Sequence, residues 1–421
     1  MLKTANIAQL ANDVMTRCQK LASFSEDPKG TRRTFLSPPM REVHREIGGW
    51  LKPLGAPASI DAAGNLRALY PAQAQTAPRL LIGSHLDTVP NAGRYDGILG
   101  VVLAIALVES LEQRTLPFAI EIVGFSEEEG VRFRTPFIGS RALVGRLDDS
   151  VLSVRDADGI SVRQAIEEFG LHPAEIPQAR VSENIIGYLE FHIEQGPVLE
   201  QLGIPLAAVE AIVGQTRAEF VFTGRANHAG TTPMNLRADA IAGAAEWITA
   251  VEHEANTTPG LLATVGSVQT FPGAANVIAG EARLTLDVRF ADDEIRAKAA
   301  AKLTHQAKHI AQRRGLSVTS ILHMNQPAVA MDPFLVRQIE LAIQKAGCKL
   351  HRMASGAGHD AMILAERVPS AMIFLRTPGG ISHNPAESVE VQDVEKAIEC
   401  GIHLLDQLSG DPAFLMRTQR A

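Results

Sequence analysis

The sequence predicts an α/β protein of two domains, one inserted into the other. Three observations carry this. Short β-rich apolar runs alternate with helical patterns through the first half, a βαββαβ pattern interrupts them from about Gly214, and β/α alternation resumes after Pro327. A chain of 421 residues also exceeds the roughly 150 residues of one typical domain. In order, a strand is expected at Leu80 to Gly83, a helix from about Ile98 to Leu111 and a strand from Phe118 to Phe125. The inserted part then alternates apolar positions at Ala218, Phe220 and Phe222. A helix follows near Leu236 to Glu254, strands near Leu262 to Thr270 and Ala282 to Arg289, a polar helix near Asp292 to Arg313 and a strand near Ser317 to Leu322. That order is ferredoxin-like, so residues 1–213 and 329–421 form a discontinuous first domain and residues 214–328 the insertion.

Composition narrows the function. With 46 % hydrophobic and 21 % charged residues the chain can bury ordinary cores. Its net charge of −7 offers no general attraction to nucleic acid or anionic lipid, which leaves a small molecule as the expected partner. The longest apolar run, Ile98 to Val108, is about half of what crosses a bilayer and reads as a buried helix. Three scattered cysteines, Cys18, Cys348 and Cys400, and a start without the unbroken apolar core of an export signal suit the cytoplasm.

Two strands end in polar clusters, Ser84-His85-Leu86-Asp87 and Ser126-Glu127-Glu128-Glu129, and open α/β sheets place ligands at such carboxyl ends. His85-x-Asp87 suits a metal-ligating imidazole whose other nitrogen is held by a carboxylate, although a surface turn with capping aspartates has the same spacing. Three adjacent glutamates repel one another unless cations or protons intervene, while a solvated acidic loop is the plainer reading. His192 follows an apparent strand, and His383 lies beside Gly379 and Gly380, which let backbone approach a ligand. Spacing alone does not select these two from thirteen histidines. His305 and His309 have the i, i+4 spacing of a zinc pair, but HQAKH lacks the adjacent glutamate and sits in a charged helix, so they read as surface.

As a set, GSHLDTVPNAGRYDGILG (83–100), EEEGVRF (127–133), FHIEQGPVLE (191–200), GRANHAGTTPM (224–234), SGAGHDA (355–361) and GGISHNPAE (379–387) resemble the hydantoinase/carbamoylase group of the M20 metallopeptidase superfamily. The resemblance spans nearly the whole chain in order. It implies a zinc-peptidase-like catalytic domain, its mixed sheet flanked by helices, with the insertion as a lid and dimerisation domain. It further implies two divalent metal ions per subunit, zinc or manganese, with cobalt or nickel also suited to such ligands. By motif position, His85 and His192 would hold one ion, Glu129 and His383 the other, and Asp96 would bridge them. Asp87 would orient His85, and Glu128 would be the general base. Aligning on Gly130-Val131-Arg132-Phe133 gives Glu128 and Glu129 as base and ligand, whereas a register one residue back gives Glu127 and Glu128.

The resemblance also implies that His228 stabilises an oxyanion, reaching the other subunit of a homodimer. Gln195, Asn276, Arg289 and Gly380 would bind substrate, with Arg289 suited to a bidentate grip on a carboxylate. No role is assigned to residues 355–361 as a segment. The implied reaction is hydrolysis of a ureido C–N bond in a small carboxylate, releasing ammonia and carbon dioxide. EEEGVRF followed by Thr-Pro-Phe-Ile-Gly-Ser-Arg looks most like the allantoate branch, with N-carbamoyl-L-amino acids or β-ureidopropionate as the alternative. From another class, a dimeric scaffold that kept the fold and lost activity would lack part of the ligand set.

Overall fold

A strand buried on both faces reads as a continuous apolar run, and four such runs build the centre of the larger unit. In the computed structural model, which describes residues 6–417, the chain up to Glu210 and from Met331 onward forms one unit and Ala211–Ala330 the other. The first unit begins its sheet with β1 (Ala58–Ile60), β2 (Leu66–Tyr70), β3 (Arg79–His85), β4 (Ala119–Phe125), β5 (Ile185–Ile193) and β6 (Leu206–Ile212). After the second unit it continues with β14 (Arg352–Ser355) and β15 (Ser370–Leu375). The strand order is β1-β2-β4-β3-β5-β15-β6, with β14 paired to β6. The central four, β4, β3, β5 and β15, are parallel, so their carboxyl ends lie along one edge of the sheet. β4, β5 and β15 are buried throughout, as is β3 beyond Arg79.

The helix Ile98–Glu109 is buried from Ile98 to Val108, which explains a run with no polar face. It packs on β3, β4 and β5 and delivers its N-terminal turn to the strand ends. Among the described residues no helix is long and apolar enough to cross a membrane.

The second unit holds β7 (Gly214–Thr223), β8 (Asn227–His228), β9 (Leu262–Phe271), β10 (Val277–Ile278), β11 (Glu281–Phe290) and β12 (Ser317–Gln326). At its end β13 (Val329–Ala330) pairs with Ala211 and Ile212. Its antiparallel sheet has the order β12-β7-β11-β9. The alternation that predicts β7 appears as Ala218, Phe220 and Phe222 turned into a core with Trp247, Leu284, Leu286 and Leu303. Trp247 donates its indole N–H to the Leu303 carbonyl at 2.9 Å, so the largest core side chain leaves no donor unmet. The helix expected near Leu236 begins instead at Ala240. Asp239 caps it by accepting from the Ile241 and Ala242 amides, leaving Met234–Leu236 as a separate 3₁₀ turn. His305 and His309 are exposed on the helix Asp293–Arg313, as the surface reading expects.

Candidate metal centre

Because four parallel strands end on one edge, the side chains and loops that follow them converge. β3 ends in His85, β4 runs into Glu127, Glu128 and Glu129, β5 carries His192, and the loop after β15 carries His383. Asp96 stands at the head of the helix Ile98–Glu109. Its Oδ1 lies 3.2 Å from His192 Nε2 and 3.6 Å from His85 Nε2, and its Oδ2 lies 3.2 Å from His383 Nε2. His383 Nε2 is also 3.5 Å from Glu129 Oε1. Among the described residues, four groups of three donors fall within 4.8 Å of one another: His85, Asp96 and His192; Asp96, Glu129 and His383; His85, Glu128 and Glu129; Glu190, His192 and His359.

Backbone settles which imidazole nitrogens face inward. His85 Nδ1 donates to the Asp87 carbonyl at 3.0 Å, and His192 Nδ1 donates to the Ile193 carbonyl at 2.9 Å. A carbonyl only accepts, so both neutral rings carry their proton on Nδ1 and present an Nε2 lone pair. Those two lone pairs are 3.4 Å apart and face Asp96 Oδ1, a buried oxygen with no hydrogen-bond donor. Acceptors crowded together without a donor are the arrangement a divalent cation satisfies, and imidazole and carboxylate donors suit one. The residues therefore fit a metal.

Asp87 is 1 % exposed and works through backbone as well as through His85. Its two oxygens accept from the Glu128 and Glu129 amides at 2.9 and 3.0 Å, while Oδ1 lies 3.6 Å from His85 Nδ1. One carboxylate thus ties the end of β3 to the glutamate loop. Gly97, with φ of 67°, completes the approach: a Cβ there would lie 2.4 Å from the His85 ring.

The electrostatics follow from packing acids and imidazoles out of water. Burial pulls His85 down, but the neighbouring carboxylates of Asp87 and Asp96 override it and hold the ring well above its usual value. Burial would raise Asp96, yet His192, His383 and His85 keep it well below the carboxylate range. Burial, with Glu129, Asp360 and Asp87 adding to it, raises Glu128 well above a free glutamate. Burial and Asp96 push Glu129 up to about 7.

Gln195, with φ of 58°, donates from Nε2 to Asp96 Oδ2 at 3.0 Å, so it touches the cluster directly. Gly380, with φ of 62°, turns the backbone after β15, where a Cβ would meet the Pro197 nitrogen at 2.9 Å. Glu127 is fully buried, belongs to none of the four donor groups, and is raised by burial and by Asp87. In the second unit, His228 and Asn276 are exposed and adjoin each other, the Asn276 carbonyl accepting from the Ala229 amide at 2.9 Å. His228 Nδ1 accepts from the Gly230 amide at 3.0 Å, so the neutral ring carries its proton on Nε2. Arg289 forks onto both oxygens of Asp287, which also accepts from Arg217 and Gln215.

Three neighbours of the cluster escape sequence reasoning. His359 packs edge-on to His192 with ring centroids 4.4 Å apart and shares a 2.8 Å hydrogen bond with Ser355. Glu190, fully buried in β5, accepts from Ser84 and from the Ala361 amide, both at 2.9 Å. Asp360 is fully buried, and burial with nearby Glu190 raises its carboxyl well above the usual range. Only the quoted motif SGAGHDA could have pointed to His359 and Asp360, and Glu190 carries no signal beyond an acid in an apolar run.

A His/Asp/Glu cluster able to hold metal stands where open α/β sheets carry their ligands, an arrangement that metal-dependent hydrolases use. Residues 81–407 match the family described as Peptidase family M20/M25/M40, and the chain belongs to it. It is similar to the allantoate deiminase of Arabidopsis thaliana, 36 % identical over 438 residues covering 95 % of this chain and 82 % of the plant protein. It is equally similar to the N-carbamoyl-L-amino acid amidohydrolase of Geobacillus stearothermophilus, 36 % identical over 398 residues covering 93 % and 97 %. A solved amidase of the hydantoinase/carbamoylase family from Burkholderia multivorans superposes with a TM-score of 0.90 at 30 % identity, covering 96 % of this chain and 98 % of that one.

Proposed function

We propose that this protein is a metal-dependent amidohydrolase that cleaves the ureido C–N bond of a small carboxylate, allantoate first. The observation that carries it is the ring of imidazole lone pairs and carboxylate oxygens around Asp96 Oδ1, which has no donor of its own. His85, His192 and Asp96 would hold one divalent ion, and Asp96, Glu129 and His383 a second. Bound there, zinc or manganese would lower the pKa of a water and polarise the scissile carbonyl.

The chain's own groups do the rest. Glu128, buried and held by its amide to Asp87, takes the proton from the attacking water and returns it to the leaving nitrogen. A carboxyl that burial makes more basic suits a group that must both accept and give back a proton. The exclusion of Glu127 from the donor groups supports Glu128 and Glu129 as the working pair. His228 offers its Nε2–H to the oxygen on which negative charge develops, and the Gly230 amide keeps that tautomer even when the ring is neutral. Arg289 holds the substrate carboxylate, and Gln195, Asn276 and the Gly380 backbone orient the ureido group. Water adds to the carbonyl carbon, the C–N bond to the terminal nitrogen breaks and ammonia leaves, and the carbamic acid that remains on the substrate nitrogen loses carbon dioxide to give the amine.

A homodimer formed through the second unit supplies His228 in trans. Its edge strands β9 and β12 expose Leu262, Ile321 and Leu322 at 57, 52 and 62 %, apolar surface that a second copy would cover. The free cysteines fit a cytoplasmic setting. The matching identity to the Geobacillus enzyme favours N-carbamoyl-L-amino acids as the second substrate class.

The test is ammonia release from allantoate, N-carbamoyl-L-amino acids and N-carbamoyl-β-alanine by chelated protein before and after manganese or zinc is restored. Metal-restored turnover of allantoate is expected. Glu128→Gln should lower turnover by about 10²- to 10⁴-fold while retaining metal, and near-native turnover would remove it as the base. Two bound metals with no ammonia from any substrate would move the reaction to an acyl or peptidyl amide, and no bound metal would revive the scaffold reading.

A further inference from the structure

Asp96 and His383 come from loops far apart in the chain, and one buried carboxylate joins those loops. Glu387 closes the GGISHNPAE stretch, is 4 % exposed and lies 292 residues from Tyr95 in sequence. Its Oε1 accepts from the Tyr95 amide at 2.9 Å and from the Asp96 amide at 3.1 Å. Its Oε2 accepts from Ser382 Oγ at 3.0 Å, and that hydroxyl is also 3.3 Å from Asp96 Oδ2. Glu387 therefore grips the backbone of Asp96 directly and the residue preceding His383 through its hydroxyl. The opposing loop is shaped to admit it. A Cβ on Gly93 would fall 2.3 Å from Glu387 Oε1 and 2.4 Å from the Glu387 Cβ, so the loop can cross the glutamate only with no side chain at 93.

Gln195 Nε2 also reaches both loops, 3.0 Å from Asp96 Oδ2 and 3.4 Å from Ser382 Oγ, but it touches side chains only, whereas Glu387 holds the backbone of Asp96. Asp96 contributes an oxygen to each of two donor groups, so a shift of its backbone disturbs both. We propose that Glu387 is a positioning residue of the metal centre, holding Asp96 and His383 at ligand spacing before any cation arrives. The inference rests on the reading that Asp96 and His383 hold metal. The work is done by hydrogen-bond geometry. A glutamine at 387 can turn its carbonyl oxygen to the Tyr95 and Asp96 amides and its amide N–H to Ser382 Oγ, leaving the Ser382 proton for Asp96. An alanine can do neither.

The experiment is titration of metal-stripped full-length protein with Mn²⁺, followed by equilibrium dialysis and calorimetry, with melting of the metal-free proteins by far-UV circular dichroism as the folding control. Wild type is expected to take up two ions. Glu387→Ala should weaken at least one of them about 10- to 100-fold, the range for losing a group that holds a ligand, whereas Glu387→Gln should stay within about threefold of wild type. Gly93→Ala, which drives a methyl into the carboxylate, should weaken uptake as Glu387→Ala does and carries the test should the latter fail to fold. Uptake by both Glu387→Ala and Gly93→Ala equal to wild type would overturn the inference alone. So would equal losses in Glu387→Gln and Glu387→Ala. No uptake by wild type would overturn the metal reading with it.

Discussion

His44 links a single buried ring to the pH dependence of stability. It is 8 % exposed, stands edge-on to Phe169 at 5.9 Å, and its Nε2 has no hydrogen-bond partner. Burial, and after it the charge of Arg41, lowers its pKa to about 4. The folded value lies below the unfolded value of about 6.5, so the unfolded chain binds the proton first as pH falls. The stability this neutral ring contributes is complete above pH 6.5 and is lost progressively toward pH 4. The total is on the order of 3 kcal/mol. Urea unfolding of wild type and His44→Phe at pH 7, 6, 5 and 4 checks this. The variant should lose less stability over that window, and identical pH profiles would remove His44 as the cause.

At the scale of elements, the turn into the helix Ile98–Glu109 is the narrowest joint of the site. Gly97 has φ of 67°, and a Cβ there would meet the His85 ring at 2.4 Å, so Gly97→Ala must strain the backbone and displace a candidate ligand together. It should destabilise the protein by about 1–3 kcal/mol and weaken metal uptake, as chemical unfolding and Mn²⁺ titration would show; unchanged uptake would mean that His85 tolerates the shift. This joint also marks what sequence makes legible. Period-2 alternation on β7 and β11 exposes one face to the core, so the second unit's strands can be read residue by residue. β15, Ser370–Leu375, is buried on both faces and carries no period, so it cannot be told from part of a buried helix. The same limit holds at the site. His85 and the three glutamates announce themselves by ending apolar strands, whereas His192 and His383 required the motif resemblance. Glu387 and Glu190 act through backbone amides and hydroxyls, contacts that depend on which loops meet and leave no spacing to recognise.

At the scale of the whole molecule, the metal reading makes stability a function of metal, and unevenly so. His85, Asp96, Glu129, His192 and His383 all belong to the first unit, while the second has its own core around Phe220, Phe222 and Trp247. Deprotonated ligands gathered at one point repel until a cation binds, and a ligand that binds only the folded state stabilises it by RT ln(1 + [L]/Kd). At a hundredfold excess over Kd this is about 2.7 kcal/mol, which for a unit of this size shifts melting by roughly 5 °C. Only the first unit should feel it directly. Calorimetric melting of chelated and Mn²⁺-restored protein should therefore move one transition upward and leave a second, assigned to the βαββαβ unit, nearly in place. Removing one donor, as in His383→Ala, should reduce the upward shift and leave the metal-free curve little changed. A shift shared equally by both transitions would mean that the two cores unfold as one cooperative body, and no shift at all would mean that the donor cluster binds no cation.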